Sequence, residues 1–171
     1  MIVPVIWGQD TFIAKAGEEI LQQMYCFPDK KARPICLIPE VTALIQEMWN
    51  NEWSKSQRGP MRVFYVSRCY RYERPQAGRY REFTQVGVEL LNGDRSSDRL
   101  EVEDLLRSCL DRLGVTYVFD SNVKRGLGYY TEDGFEASCP KLGAQKQIAG
   151  GGRYAEGVGW AIGLDRLLLA L

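Results

Sequence analysis

The sequence contains no histidine among its 171 residues, and its 22 basic residues are matched by 22 acidic ones. The first absence excludes an imidazole general base, a histidine-based triad and a zinc site with imidazole ligands. Because the net charge is zero, nothing overall indicates nucleic-acid binding, and any such contact would need a local basic patch. Catalysis would have to rest on placed charges and carboxylates, which suits phosphoryl or adenylyl transfer.

Long apolar runs and paired cysteine motifs are absent as well. No apolar stretch approaches the roughly 18 residues that a membrane span needs. The start, MIVPVIW, is interrupted by Pro4 and follows no basic residues, so we expect no signal peptide. The five cysteines are scattered without a Cys-x-x-Cys pair and predict reduced thiols in a cytoplasmic protein. The length favours a single domain over residues 1–171.

Hydrophobic periodicity predicts several short strands and three helices. We expect strands over 23–26, 35–38, 62–72 and 116–119, and another after Gly157. One helix is expected to begin at Pro39, and a second to run from a capping box of Asp98 and Glu101 to Gly114. Apolar stripes predict the buried sides of the second and the last helix: Val102, Leu105, Leu106, Cys109, Leu110 and Leu113; and Leu164, Leu167, Leu168 and Leu171. Strands outnumber helices and hairpins are local, so we predict an α+β fold, an antiparallel β-sheet flanked by helices.

Residues 71–89, RYERPQAGRYREFTQVGVE, carry the clearest chemical pattern. They predict a strand end, a cationic loop and a second strand whose side chains alternate between two faces. The expected open face carries Phe83, Gln85, Gly87 and Glu89, and the expected core face carries Thr84, Val86, Val88 and Leu90. Such a surface could hold a phosphate ligand beside a small polar molecule, although an Arg-rich hairpin is also commonly a plain solvated turn.

Arg71, Glu73, Arg79 and Phe83 resemble motif 2 of class II aminoacyl-tRNA synthetases, in the form found in histidyl-tRNA synthetases. That family has an Arg-x-Glu pair, a loop, and an Arg followed four residues later by Phe. Four other segments resemble further signatures of the same family: LIPEVTA at 37–43, RGLGYYT at 125–131, GGGRY at 150–154 and GWAIGLDR at 159–166. The resemblance covers almost the whole chain and implies the class II catalytic fold.

The resemblance also implies a site for ATP with Mg²⁺ and for histidine, and formation of histidyl-adenylate as in histidine–tRNA ligase. The catalytic residues it implies are Arg71, Arg125 and Arg166. The ATP-binding residues it implies are Arg71, Glu73, Arg79, Phe83 and Arg166. The histidine-binding residues it implies are Glu40, Thr42, Gln85, Glu89, Arg125, Tyr129 and Tyr130, with Glu89 and Tyr130 on the imidazole. No protein ligands are assigned to the metal ion.

The chain departs from the family pattern at three positions: Ile38 replaces an Arg, Val41 a Gly, and Gly128 an Asp. Compared with the family, we expect a reduced core, with little of motif 1, no insertion domain before Arg125 and no anticodon-binding domain. A homodimer and a weak contact with the tRNA acceptor end are implied by resemblance. Two alternatives stay open: a non-catalytic histidine-binding module like the regulatory subunit of ATP phosphoribosyltransferase, or a paralogue that transfers an activated amino acid to another acceptor.

Overall fold

A computed structural model describes residues 1–143 and 145–171. Its main feature is a six-stranded antiparallel sheet in the spatial order β4-β5-β9-β8-β7-β6. The strands are β4 (Met61–Tyr70), β5 (Glu82–Leu91), β6 (Val118–Val123), β7 (Gly134–Ser138), β8 (Gln147–Tyr154) and β9 (Gly157–Gly163). The β6 to β9 segments follow one another as a meander, and β9 then pairs with β5. The predicted antiparallel α+β architecture is confirmed.

A second, three-stranded sheet has the order β1-β3-β2 and contains β1 (Ile6–Gly8), β2 (Tyr25–Pro28) and β3 (Pro34–Leu37). β2 and β3 are the strand pair expected from the sequence, with bounds moved by one or two residues. Asp29 closes their turn by accepting backbone N–H groups from Lys31 and Arg33. This sheet leads directly into the segment that carries Glu40 and Thr42.

The helices lie on the two faces of the large sheet. The N-terminal side has α1 (Gln9–Ala16) and α2 (Thr42–Met48), which continues through a π-helical turn at Trp49–Trp53 into α3 (Ser54–Ser56). The other face is covered by α4 (Asp98–Arg112) and α5 (Leu164–Ala170). Each side has its own apolar cluster, one built around Phe12, Ile38 and Tyr65, the other around Leu106, Phe135 and Trp160. In the part of the chain that the structure describes, no helix is long and apolar enough to cross a bilayer.

The predicted capping box at the start of α4 is wrong. Ser97 is the N-cap residue and makes no side-chain capping bond. Asp98 is buried in an ion pair with Arg153 of β8, and Glu101 forms a bidentate ion pair with Arg62 of β4. Both carboxylates therefore connect the helix to the sheet through ion pairs instead of capping the helix.

Two predicted helix stripes are only partly buried. In α4, Val102, Leu106 and Leu110 are buried, whereas Leu105 and Leu113 are exposed. In α5, Leu167 is buried but Leu168 is 71% exposed and Leu171 65% exposed. The contact of each helix with the sheet is therefore narrower than its apolar stripe. The fourth predicted strand is also displaced, beginning at Val118 rather than at residue 116.

Candidate active site

A cavity of about 220 Å³ lies on the face of the large sheet opposite α4 and α5. Of the twelve site residues expected from the sequence, eleven line it: Glu40, Thr42, Arg71, Glu73, Arg79, Phe83, Gln85, Arg125, Tyr129, Tyr130 and Arg166. They come from β5, α2, α5 and the loops after Leu37, Tyr70 and Val123. Segments far apart in sequence thus meet at one concave surface.

Glycines on two strands, β5 and β8, make room for this cavity, because the long side chains beside them lie flat over the sheet. A Cβ at Gly150 would come within 2.7 Å of Arg125 Nη1, and one at Gly152 within 2.8 Å of Tyr130 Cδ1. A Cβ at Gly87 would overlap the ring of Tyr65. The GGGRY segment lies within strand β8. Its glycines serve close approach of side chains, which explains why a straight strand carries them.

Three arginines form the cationic end of the cavity. Arg71 donates Nε to the Pro39 carbonyl at 2.9 Å and lies over the Phe83 ring at 5.3 Å. Arg79 is paired with Glu73. Arg166 donates to the carbonyls of Gly78 and Gln147. Burial, and then the positive charges of Arg71 and Arg79, lower the pKa of Arg166. The three guanidinium groups therefore repel one another, and a bound polyanion would offset this repulsion.

Arg125 enters the cavity from the loop after β6, and its guanidinium lies over Gly150 of β8. Its Nη1 lies 3.4 Å from Glu136 Oε2, and its guanidinium stacks on Tyr130 at 5.7 Å. Its Nε is buried and makes no hydrogen bond with the described residues. Burial raises the pKa of Glu136, although Arg125 acts to lower it. The Arg125 guanidinium therefore has N–H donors that remain available to a ligand in the cavity that the three other arginines also line.

A buried acidic and tyrosine cluster forms the remaining wall. Glu40 accepts the Ala43 amide at 3.0 Å and the Tyr129 hydroxyl at 3.2 Å. Burial raises the pKa of Glu40, while Arg71 and the Ala43 amide act to lower it. A bound ammonium group beside this carboxyl would restore its charge.

Glu89 lies behind the cavity wall, which corrects the expectation that it faces an open surface. It is 0% exposed, and its two oxygens accept hydrogen bonds from Thr42 Oγ1 at 2.7 Å and Tyr154 at 2.8 Å. Burial raises its pKa to about 8. The hydrogen bond between Thr42 Oγ1 and Glu89 holds the Thr42 side chain at the cavity wall. Glu89 thus orients Thr42.

The sequence did not point to several residues that line the cavity, notably Tyr65, Gln147, Trp160 and Asp165. Tyr65 lines the cavity because it is paired with Gly87 across β4 and β5, which places both residues on one face of the sheet. Asp165 accepts the Thr84 amide at 2.9 Å and ties α5 to β5. Cys69, also overlooked, donates its thiol to Gln85 Oε1 at 3.4 Å. These residues support the side chains that the sequence motifs named.

The three departures from the family pattern have clear places in the fold. Ile38 and Val41 are fully buried in the apolar cluster rather than directed at the cavity. Gly128 donates its N–H to the Ala16 carbonyl at 3.2 Å, and a Cβ there would lie 3.1 Å from the same oxygen. The close approach of the loop to the end of α1 favours glycine at this position.

Comparison with known proteins agrees with this fold. Residues 25–156 match the family model of the tRNA synthetase class II core domain (G, H, P, S and T). Since the match includes most of the chain, the protein belongs to that family. Histidine–tRNA ligase of Methanosphaerula palustris is 29% identical over 270 aligned residues, with 98% of this chain and 66% of the relative covered.

Two solved structures show the same similarity. Histidyl-tRNA synthetase from Staphylococcus aureus is 28% identical with a TM-score of 0.72, covering all of this chain and 59% of that one. An ATP phosphoribosyltransferase regulatory subunit/histidyl-tRNA synthetase from Bacillus halodurans has a TM-score of 0.81 at 18% identity, covering 100% of this chain and 73% of that one, and shows the fold alone. The chain spans about two thirds of the length of the ligase relative, or slightly less. The predicted family resemblance is confirmed.

Proposed function

We propose that this protein binds ATP and histidine in the cavity and joins them as histidyl-adenylate. The observation that carries the proposal is the convergence of Arg71, Arg79, Arg125 and Arg166 on one cavity next to Glu40 and Thr42. Cations at one end suit a triphosphate, and an acceptor pair at the other suits an ammonium group. Relatives named as histidine–tRNA ligases support histidine as the amino acid.

In the proposed reaction, a carboxylate oxygen of histidine attacks the α-phosphorus of ATP. The new oxygen–phosphorus bond forms as the bond to the β-phosphate oxygen breaks, and pyrophosphate leaves with that electron pair. Arg71 and Arg125 would hold the α-phosphate, while Arg79 and Arg166 would hold the outer phosphates. No protein nucleophile or proton acceptor is required, which agrees with a chain that lacks histidine. Catalysis would come from positioning and charge stabilisation.

The two substrates would divide the cavity between them. Phe83, stacked against Arg71, offers a ring face to the adenine, and Glu73 offers its carboxylate near the exocyclic amine. Gln85, Tyr129 and Tyr130 would complete the amino-acid end. Mg²⁺ would neutralise phosphate charge when bound. No cluster of three or more metal-binding side chains occurs within residues 1–143 and 145–171, so the ion would be held mainly by ATP.

The proposal also includes a homodimer. Phe64 and Val66 on the edge strand β4 are 67% and 55% exposed. Apolar side chains on a long edge strand favour a second copy of the chain as the covering partner. Sedimentation should give a dimer, and Phe64→Glu a monomer.

We place the protein in the cytoplasm, where its five cysteines, all free thiols in the structure, would stay reduced.

The test is ATP–pyrophosphate exchange with each of the twenty amino acids. We expect histidine-dependent exchange, and no exchange with any amino acid would contradict the proposal. A non-catalytic histidine-binding module would bind histidine in calorimetry without exchange. The retained arginine set disfavours that alternative, because a module that only binds an amino acid has no use for four cations around a second subsite. Exchange without charging of tRNA would instead indicate a different acceptor.

A further inference from the structure

Cys26 and Cys36 face each other across the hairpin of β2 and β3. The register pairs Cys26 of β2 directly with Cys36 of β3, and directly opposed residues of an antiparallel pair project to the same face of the sheet. Cys36 is fully buried in the apolar cluster, whereas Cys26 is exposed on the edge strand of its sheet. Solvent therefore reaches one member of an opposed pair of free thiols.

The two cysteines occupy a pair without backbone hydrogen bonds, which is the more closely spaced type. Asp29 donates its N–H to the Arg33 carbonyl at 3.0 Å and forms a hydrogen-bonded pair with it. The two types alternate along an antiparallel ladder, and Cys26–Cys36 lies three positions further. The Ile38 N–H agrees with this phase, because it bonds toward the β1 side at 2.9 Å and the Cys36 N–H points the same way. Cα atoms of such a pair lie about 4.5 Å apart, within the roughly 4.4–6.8 Å that a disulfide spans.

The surroundings of each thiol define the order of a disulfide exchange. Burial raises the pKa of Cys36 to about 12, and the nearby Cys26 acts in the same direction. Burial also raises the pKa of Cys26, but this side chain is open to solvent. Because the thiolate is the attacking form, Cys26 is the sulfur that meets an external disulfide, and Cys36 reacts only with a sulfur already beside it. Both thiols are protonated at neutral pH, so the pair stays reduced where small thiols are in excess.

We propose that Cys26 and Cys36 are a modification site that forms a reversible disulfide with a low-molecular-weight disulfide, such as oxidised glutathione, as the oxidant. The Cys26 thiolate attacks one sulfur of that molecule, forms a mixed disulfide and releases the first small thiolate. The Cys36 thiolate then attacks Cys26 Sγ, and the second small thiolate leaves with the electron pair of the broken bond. Two protein thiols are oxidised, one small disulfide is reduced to two thiols, and the two protein protons end on the released thiols.

The bond connects the strand that leads to the cavity. β3 ends at Leu37, and the chain continues from there to Glu40, which lines the cavity. Since the two cysteines are already opposed, the disulfide forms without a change of register between β2 and β3. It closes the short hairpin loop and restricts the unfolded chain. The modification therefore stabilises the folded protein.

The test is incubation of the full chain in mixtures of oxidised and reduced glutathione, followed by intact mass measurement and peptide mapping. We expect an internal disulfide between Cys26 and Cys36, seen as the loss of two hydrogens and reversed by dithiothreitol. The melting temperature of the oxidised chain should be higher by about 5 °C or more. Cys36→Ala should stop at the mixed disulfide on Cys26, and Cys26→Ser should form neither product.

Cys109→Ser is the matched control, because Cys109 is partly exposed on α4, outside the hairpin, and its loss should leave the internal disulfide unchanged. A wild-type chain that retains glutathione on Cys26 would overturn the inference, because Cys36 would then be unable to reach that sulfur. A chain that stays fully reduced in excess oxidised glutathione would also overturn it, as would a disulfide between two chains or a melting temperature that does not rise. These outcomes leave the binding of ATP and histidine untouched, so the proposed function is tested separately.

Discussion

The carboxylate of Glu89 lies directly over Gly159 of the neighbouring strand. A Cβ at residue 159 would be 2.5 Å from Glu89 Cδ and 2.5 Å from the Val88 carbonyl oxygen. Gly159 therefore sets the position of Glu89, which in turn orients Thr42 at the cavity. A residue of the GWAIGLDR segment thus acts on the Glu40 and Thr42 end of the cavity through a side chain of motif 2.

Gly159→Ala should destabilise the protein by about 1–3 kcal/mol, the usual effect of forcing extra volume into a packed interior. The backbone carbonyl of Val88 cannot move away without disturbing the β5–β9 ladder. Gly163→Ala is the control, because it lies on the same strand and a Cβ there meets nothing within 4 Å. Urea denaturation of both variants measures the difference, and equal stability would contradict the close packing.

The pKa of Glu89 should make stability depend on pH. Burial raises this pKa from 4.5 to about 8. Between these values the folded state keeps a proton that the unfolded state releases, so stability falls as pH rises through the window. The expected contribution is on the order of 1 kcal/mol per pH unit. Above about pH 8 no further loss is expected, because both states are then ionised.

Glu89→Gln should remove this contribution, because an amide has no proton to release. Burial also raises the pKa of Glu40, which adds a slope of the same sign to both proteins. The informative quantity is therefore the difference between the wild-type and variant free energies of unfolding, measured in urea across the window. Parallel curves would show that Glu89 titrates normally.

Asp98 and Glu101 offer a comparison within one helical turn. Asp98 pairs with Arg153, and both side chains are at most 5% exposed, whereas Glu101 pairs with Arg62 at an exposed position. Asp98→Asn would leave the buried Arg153 guanidinium with the longer contact to the half-exposed Glu132 carboxylate, at 3.4 Å, so it should cost about 3 kcal/mol. Glu101→Gln should change little, because water solvates the released guanidinium. Denaturation midpoints of the two variants test this ranking, and a reversed order would refute it.

The fold could be predicted from the sequence where local pattern and global contact agree. Alternation along 82–91 and the apolar residues around Leu106 correctly indicated a sheet and a covering helix. The role of Asp98 could not be predicted, because the local sequence is the same whether Asp98 caps the helix or pairs with Arg153, 55 residues away. Leu168 and Leu171 were misassigned because periodicity shows which residues share a helix face but not how wide the contact is.

The candidate site, like the fold, was predictable from the sequence only in part. The arginines were identified by their position in motifs, and the structure places all four at one cavity. Tyr65 and Gln147 were overlooked, because a tyrosine in a strand and a glutamine before glycines carry no signal of their own. Their meaning comes from strand register: Tyr65 lies opposite Gly87 only because β4 and β5 pair as they do.

Arg125→Ala should lower the rate of histidine-dependent pyrophosphate exchange by about 10²-fold or more, as expected for loss of one preorganised electrostatic donor. The Arg125 fork has an unpaired Nε in the described structure and lies over the cavity floor. Arg107→Ala is the control, because Arg107 stacks on Phe119 outside the cavity. Both variants should retain the wild-type melting temperature within a few degrees. Unchanged exchange in Arg125→Ala would remove this arginine from the catalytic set.

The last prediction concerns salt and the tRNA acceptor end. Near the cavity, the hairpin between β4 and β5 exposes Arg74 and Arg81, while Arg79 is engaged by Glu73. The chain has no net positive charge to supplement these cations. About two phosphate contacts should give weak binding. The logarithm of the association constant should fall with the logarithm of salt concentration at a slope near −1 to −2.

Adenylate formation needs only the small-molecule cavity, so it should respond much less to salt than transfer to tRNA. Both half-reactions should be measured across one salt series. Arg74→Gln should reduce the salt slope of tRNA binding by about one contact and leave pyrophosphate exchange unchanged, since Arg74 does not line the cavity. Lys55→Gln, an exposed change remote from the hairpin, should alter neither reaction. Tight binding of tRNA that persists at high salt would refute the prediction and require an RNA surface other than this hairpin.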